Sequence, residues 1–182
     1  PTVEVGDQCW FAENLKSTKY ADGTTIPLVT SNTSWANNTT GARCNVNNSA
    51  SNTANYGYLY NWYAVDNAAG LCPAGWHVPT DAEWTVLADY LDGESVAGDK
   101  MKSSASDSPA WDGTNSSGFS GLPGGYRNVV GGFNFAGSYG YWWSSSPGDS
   151  SAWYRLLSSY SGYVDRYDGD QRYGFSVRCV RD

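Results

Sequence analysis

One histidine, one methionine, no lysine after Lys102 and no glutamate after Glu94: several chemistries are missing from this 182-residue chain before any motif is sought. A single histidine cannot build the cluster that histidine-rich metal enzymes use, and a Ser-His-Asp arrangement would rest wholly on His77, with no nucleophile-elbow signature around any serine. His77 stands between Trp76 and Val78 just ahead of a helix, and reads as a satisfied structural residue. There is no run of Lys or Arg, and the net charge is −7 with a pI near 4.5. Nucleic acid and anionic membrane surfaces are therefore poor partners, because both select clustered positive charge. No stretch approaches the roughly 18 apolar residues of a membrane span. None of Cys9, Cys44, Cys72 and Cys179 stands in a C-x-x-C pair, so no metal is expected from cysteine and histidine. The chain opens on Pro1, as an excised or mature fragment would, so the missing export signal carries no information.

What is there is aromatic. Nine Trp and fourteen Tyr, with 21 Gly and a mean hydropathy of −0.51, describe long polar loops around an aromatic core in one domain. A disordered chain would lack those rings. Four cysteines in an acidic, loop-rich chain favour disulfides and an oxidising compartment. Two bridges allow three pairings, and spacing does not choose among them.

Along the chain, Thr2 to Leu15 alternates Val3, Val5, Cys9 and Phe11 with polar residues, the pattern of a half-buried strand. Asp22-Gly23 marks a turn. Ser31 to Asn55 reads as a long surface loop with Trp35, Cys44 and Val46 as anchors, stapled through Cys44. In YGYLYNWYAVD, Leu59, Trp62 and Tyr63 fall at helical spacing, which predicts a short helix. In PTDAEWTVLADYLDG, Thr80 and Glu83 form a capping box, and Trp84, Leu87, Ala88 and Leu91 form one apolar stripe, which predicts a helix over 81–91. Short β-like runs between glycine turns follow, so two short helices precede an antiparallel meander, and the first strand can pair with the last. The class is α+β.

Three of these pieces, GLCPAGWHVPTDAEW, GFSGLPGGYR with GYWWSSS, and the terminal GFSVRCVRD, closely resemble the Fibrobacter succinogenes major paralogous domain, and QCWFAENLK and YGYLYNWYAV agree with it. The likeness runs end to end. That family is similar to the formylglycine-generating type of C-type-lectin-like fold, which implies two helices against a small twisted sheet with much irregular loop. It also implies pairing Cys72 with Cys179, leaving Cys9 with Cys44. An oxidase of the formylglycine type needs a close pair of redox cysteines near the chain's end, where only Cys179 stands. The reading is therefore not an enzyme.

The C-terminal third carries the functional expectation. Twenty of the thirty residues from Ser144 to Tyr173 are Ser, Tyr, Asp or Gly. Trp153, Arg155, Leu157, Val164 and Arg166 recur as fixed-looking positions. Between them stand Tyr154, Leu156, Ser158, Ser159, Tyr160, Ser161, Tyr163, Asp165, Tyr167, Asp168, Asp170, Arg172 and Tyr173. Alternation of this kind in an antiparallel sheet buries one set and exposes the other. Together with Asp149, this second set is the candidate ligand-binding surface, within a segment of about 139–173. Exposed Tyr among Ser, Gly and Asp is the chemistry of an antibody paratope, where stiff amphipathic rings supply area and small polar groups adapt. Every residue between the fixed positions can also be encoded by a codon ending in a pyrimidine. That spectrum resembles the variable proteins of diversity-generating retroelements, and the alternative is an ordinary polar loop. Asp165, Asp168 and Asp170 around Gly169 offer calcium oxygen ligands, but the EF-hand spacing and the lectin E-P-N and W-N-D motifs are missing, so a solvated acidic loop is the better reading and no cofactor is expected.

The expectation is a secreted or surface-displayed bacterial or phage-encoded module that binds a protein or glycan through its C-terminal face. The rivals are a structural or adhesive module without a ligand face, and a degenerate enzyme of the sulfatase-modifying type.

Overall fold

The computed structural model describes residues 1–182. Its strands are β1 (Thr2–Val5), β2 (Gln8–Phe11), β3 (Arg43–Asn45), β4 (Tyr58–Tyr60), β5 (Trp76–His77), β6 (Tyr126–Arg127), β7 (Phe133–Asn134), β8 (Tyr139–Pro147), β9 (Ser151–Ser158), β10 (Asp165–Asp170) and β11 (Val180–Arg181). Its helices are α1 (Asn32–Ala36), α2 (Thr53–Tyr56), α3 (Trp62–Val65), α4 (Asp81–Tyr90) and α5 (Ala97–Met101). This is a mixed α/β chain with few short helices and small antiparallel sheets, and no helix is long and apolar enough to cross a membrane.

Gly6 breaks the opening stretch, which is a hairpin rather than one strand. It sits at φ +61°, and a Cβ there would meet the Tyr90 ring at 2.8 Å. The turn pairs β1 with β2 and places Val3 opposite Trp10. Val180 of β11 then lies between Trp10 and His77, closing a sheet of order β1-β2-β11-β5. The two ends of the chain meet as the sequence expects.

The helix read over 81–91 is α4, ending at Tyr90. Thr80 Oγ1 accepts from the Glu83 amide at 3.2 Å, and Glu83 Oε2 accepts from the Thr80 amide at 2.7 Å, so two orphan donors of the first turn are satisfied. Its stripe of Trp84, Leu87, Ala88 and Leu91 is buried against Trp10, Phe119, Trp142 and Leu157. Trp142 and its neighbour Trp143 point to opposite sides of β8, as successive strand residues must. Trp143 enters a second core with Tyr60, Trp62, Tyr141, Leu156 and Phe175. The sheet β10-β9-β8 is thus packed on both faces over much of its length.

Two expectations are corrected here. The helix at Leu59–Tyr63 is instead a strand followed by a helix. Tyr58–Tyr60 pairs with β3, and the Asn61 side chain accepts from the Ala64 amide, which starts α3 one residue later. Cys9 and Cys44 are both buried and free, on different sheets, while Cys72 and Cys179 are bonded. The 31–55 excursion is therefore held without a bridge. Trp35, Ala42, Cys44, Val46 and Leu59 form a small core of their own. The Arg127 guanidinium lies 4.6 Å from the Trp35 ring and donates to the carbonyls of Val29, Thr30 and Gly131.

Candidate functional site

The ladder β8-β9-β10 arranges the C-terminal residues in two sets. Tyr167 is opposite Tyr154, which is opposite Trp143; Asp165 is opposite Leu156, which is opposite Tyr141; Ser158 is opposite Tyr139. These share one face, while Trp153, Arg155, Leu157, Arg166 and Asp168 share the other. The separation into two sets follows the sequence pattern except at Asp168 and Asp170, candidates that fall on the face of Trp153, Arg155 and Arg166, and the burial of the two sets does not follow it. Leu156 and Ser158 are buried and Tyr154 is half-buried, whereas Arg166, read as a fixed inner position, is exposed and Trp153 is half-buried. The reason is the second core. Phe175 and Tyr173 come from the segment after β10 and lie across the middle of the face, so that mainly its margin reaches water. That margin is open: Tyr160 is 76% exposed and Tyr167 51%, and Tyr163, in the loop ahead of β10, is 52% exposed.

The rings form a wider row, which Tyr126 and Phe135 carry beyond the expected segment. Tyr160 lies 5.7 Å from Tyr139, Tyr139 lies 5.0 Å from Phe135, Tyr126 lies 4.9 Å from Tyr141, and Tyr154 lies 6.1 Å from Tyr167. Phe135 is exposed at φ +61°, an uncommon conformation for an aromatic residue. Tyr126 and Phe135 lie outside the expected segment, and the aromatic residues of GGYR and GFNF are the signal that could have found them; Tyr139 and Tyr141 lie inside it but are not among the candidate residues. Burial, and then the neighbouring phenols, push the Tyr154 hydroxyl up to about 12, and Tyr141 and Tyr126 are raised from the same causes. These hydroxyls stay neutral donors and acceptors. Tyr60 gives its hydroxyl to main-chain carbonyls, but no face tyrosine hydroxyl has a hydrogen-bond partner in the protein.

The reverse side of the hairpin is braced. Asp81, in the first turn of α4, accepts from Arg155 Nη2 at 3.0 Å and pairs with Arg166 Nη2 at 2.8 Å. Arg166 also stacks 3.6 Å above the Trp153 ring. Arg155 further donates to Glu94 and to Thr85 Oγ1. Beneath the 158–163 loop, Lys102 Nζ donates to the carbonyls of Ser158 and Ser161, and Ser159 Oγ accepts from Trp111 Nε1 at 2.7 Å. Gly98 receives the loop closely, since a Cβ there would stand 2.3 Å from the Tyr163 carbonyl.

The acidic residues do not converge. Strand alternation puts Asp165 on the tyrosine face and Asp168 and Asp170 on the other. Asp168 accepts from Ser151 Oγ at 2.6 Å, and Asp170 pairs with Arg172, which holds its carboxyl below the usual range. Asp165 is raised by burial and by Glu94. No group of three or more His, Cys, Asp or Glu is placed to hold a metal ion. Asp149 lies exposed in the β8–β9 turn. The largest cavity, about 390 Å³, is lined by Glu13, Lys16, Asp107 and Asn115 among others, and shares no residue with the tyrosine face.

His77 joins the end of the chain to α4. Its Nε2 lies 2.9 Å from Glu83 and its Nδ1 2.7 Å from Asp182. Burial lowers its pKa, but the two carboxylates outweigh it and the net shift is upward. The ion-pair stabilisation is therefore fully present below about 6.5 and is lost as pH rises through the higher folded value. The partly open site limits the effect to under about 1 kcal/mol. Urea titrations of the wild type and His77→Gln should differ at pH 6 and converge by pH 9; an undiminished difference at pH 9 would remove the charge argument.

Few short helices, small antiparallel sheets and a tyrosine-lined sheet margin mark the structural class. Within that class the chain belongs to the Fibrobacter succinogenes major domain family, whose model matches residues 3–181. No curated protein and no solved structure matches it.

Proposed function

We propose that the protein is a non-enzymatic recognition module of C-type-lectin-like architecture, secreted by or displayed on a bacterium or encoded by its phage. It binds a protein or glycan through the tyrosine face of β8–β10 and the 159–163 loop. The observation that carries this reading is the set of tyrosine hydroxyls without protein partners, held on a sheet braced from behind by Asp81, Arg155 and Lys102. Stiff rings with free polar tips supply contact area at low entropic cost. The hydroxyls can donate to or accept from either a peptide backbone or a sugar. The alternation of Tyr, Ser and Asp between braced positions also suits retroelement diversification, in which the exposed set varies over a constant frame. A reverse transcriptase gene beside a near-copy of the coding sequence would support that part, and its absence would remove it.

The test is the triple variant Tyr160→Ala, Tyr163→Ala, Tyr167→Ala, screened with the wild type on a glycan array and a cell-surface protein array. Wild-type hits should disappear from the variant, while its unfolding free energy stays within about 1 kcal/mol, because these side chains are exposed. Hits that survive would place recognition elsewhere. The packing of Tyr126, Tyr141, Tyr154 and Tyr173 against one another and Phe175 favours a second reading, a structural module without a ligand face. It predicts no wild-type hits at all.

A further inference from the structure

Strand β10 is the outer strand of its sheet, and from Asp165 to Gly169 no main-chain group bonds to anything beyond that sheet. The opposite margin is closed, because β8 exchanges main-chain bonds with Ser176 and with Gly125. An open edge is a template for another strand unless the sequence forbids pairing. Here the charges of the strand match a second copy of itself in one register. When β10 runs antiparallel to its own copy with a twofold axis at Tyr167, Arg166 faces Asp168 of the second copy, twice, and the two Tyr167 rings meet. Moving the axis to Arg166 or Asp168 sets like charges opposite each other. The groups needed are free and held in place. Arg166 uses Nε and Nη2 on Asp81 and keeps Nη1, while Asp168 uses Oδ2 on Ser151 and keeps Oδ1.

We propose that the β10 edge is a homodimer interface, which joins two three-stranded sheets into one of six. Pairing would make the tyrosine rows of the two copies continuous, so the ligand face doubles in extent; that consequence rests on the proposed recognition function, the interface itself does not.

Sedimentation equilibrium from about 1 µM to about 1 mM tests the interface. The wild type should show a concentration-dependent dimer of the 19.7 kDa chain. Asp168→Arg and Arg166→Asp should each weaken it at least about tenfold by opposing like charges. An equimolar mixture of the two variants should restore association, since each new charge then faces its opposite. Far-UV circular dichroism shows that each variant is folded, and the wild-type series decides the matter even where a variant is not. A single 19.7 kDa species at all concentrations overturns the proposal, as does a dimer indifferent to both variants. The sedimentation series is read without ligand, so a monomeric wild type that still gives array hits overturns the interface and leaves the recognition function standing, and a dimeric wild type without hits does the reverse.

Discussion

Arg178→Met should lower the unfolding free energy by about 3–5 kcal/mol, although it removes a charge and keeps most of the stem. Arg178 is fully buried, and burial pulls its guanidinium below the ordinary range. No carboxylate touches it. Instead, Nη1 donates to the carbonyls of Phe11 and Phe119, Nη2 to the carbonyl of Ser120, and Nε to Asn14 Oδ1. The guanidinium also lies 4.2 Å from the Phe119 ring. One side chain thus satisfies acceptors on β2 and on the 119–120 loop, which also meet through the Trp10 and Phe119 rings. Methionine fills the space but leaves three carbonyls without their donor, that of Phe119 buried and those of Phe11 and Ser120 partly buried, and each costs on the order of 1 kcal/mol or more. Guanidinium titration should show a lower midpoint at unchanged slope. Arg172→Met is the control: Arg172 is partly exposed and pairs with Asp170, so its loss should cost no more than about 1 kcal/mol. Equal losses for the two would show that the buried carbonyls find other donors.

The elements legible in the sequence were those specified by neighbours in the chain. Thr80, Glu83 and the Trp84–Leu91 stripe lie within one short stretch, so the α4 signals agree with one another before any tertiary contact forms. The YGYLYNWYAVD stretch was ambiguous because Leu59, Trp62 and Tyr63 satisfy a helical spacing equally when 58–60 is a strand; the pairing with Arg43–Asn45 decided it, and that partner is more than ten residues away in sequence. Cysteine parity failed for a related reason. An even count says nothing about distance, and Cys44 serves the small core around Trp35, where burial pushes its thiol up to about 12 and leaves it unreactive. At the candidate site, the period of two put Tyr154 and Tyr167 on one face and Arg155 and Arg166 on the other, but Asp168 and Asp170, counted with the tyrosines, fall with the arginines. It could not show that Phe175 and Tyr173 fold back over Tyr141 and Leu156, or that Phe135 joins from another loop. Strand alternation assigns a residue to a face; only the rest of the chain determines whether that face is covered.

Cys72→Ala with Cys179→Ala should cost about 4–5 kcal/mol. The bond joins residues 107 apart in sequence, and in the chain-entropy account its removal frees a loop of that size in the unfolded state. For a chain of this length that corresponds to a fall in Tm of roughly 10–15 °C. The consequence should be felt at the tyrosine face as well. Cys179 lies in the same terminal segment as Phe175 and Val177, which stand in one core with Cys72, Leu71 and Tyr141. Loosening that segment loosens Phe175, on which Tyr154 and Tyr173 rest at 4.7 and 5.4 Å. Calorimetry should therefore show the same fall when the wild type is fully reduced, and no further fall when reductant is added to the double variant, since Cys9 and Cys44 are already free thiols. A double variant melting within about 3 °C of the wild type would mean that the aromatic core alone holds the two segments together, and that the oxidising compartment inferred from the bridge is not needed for the fold.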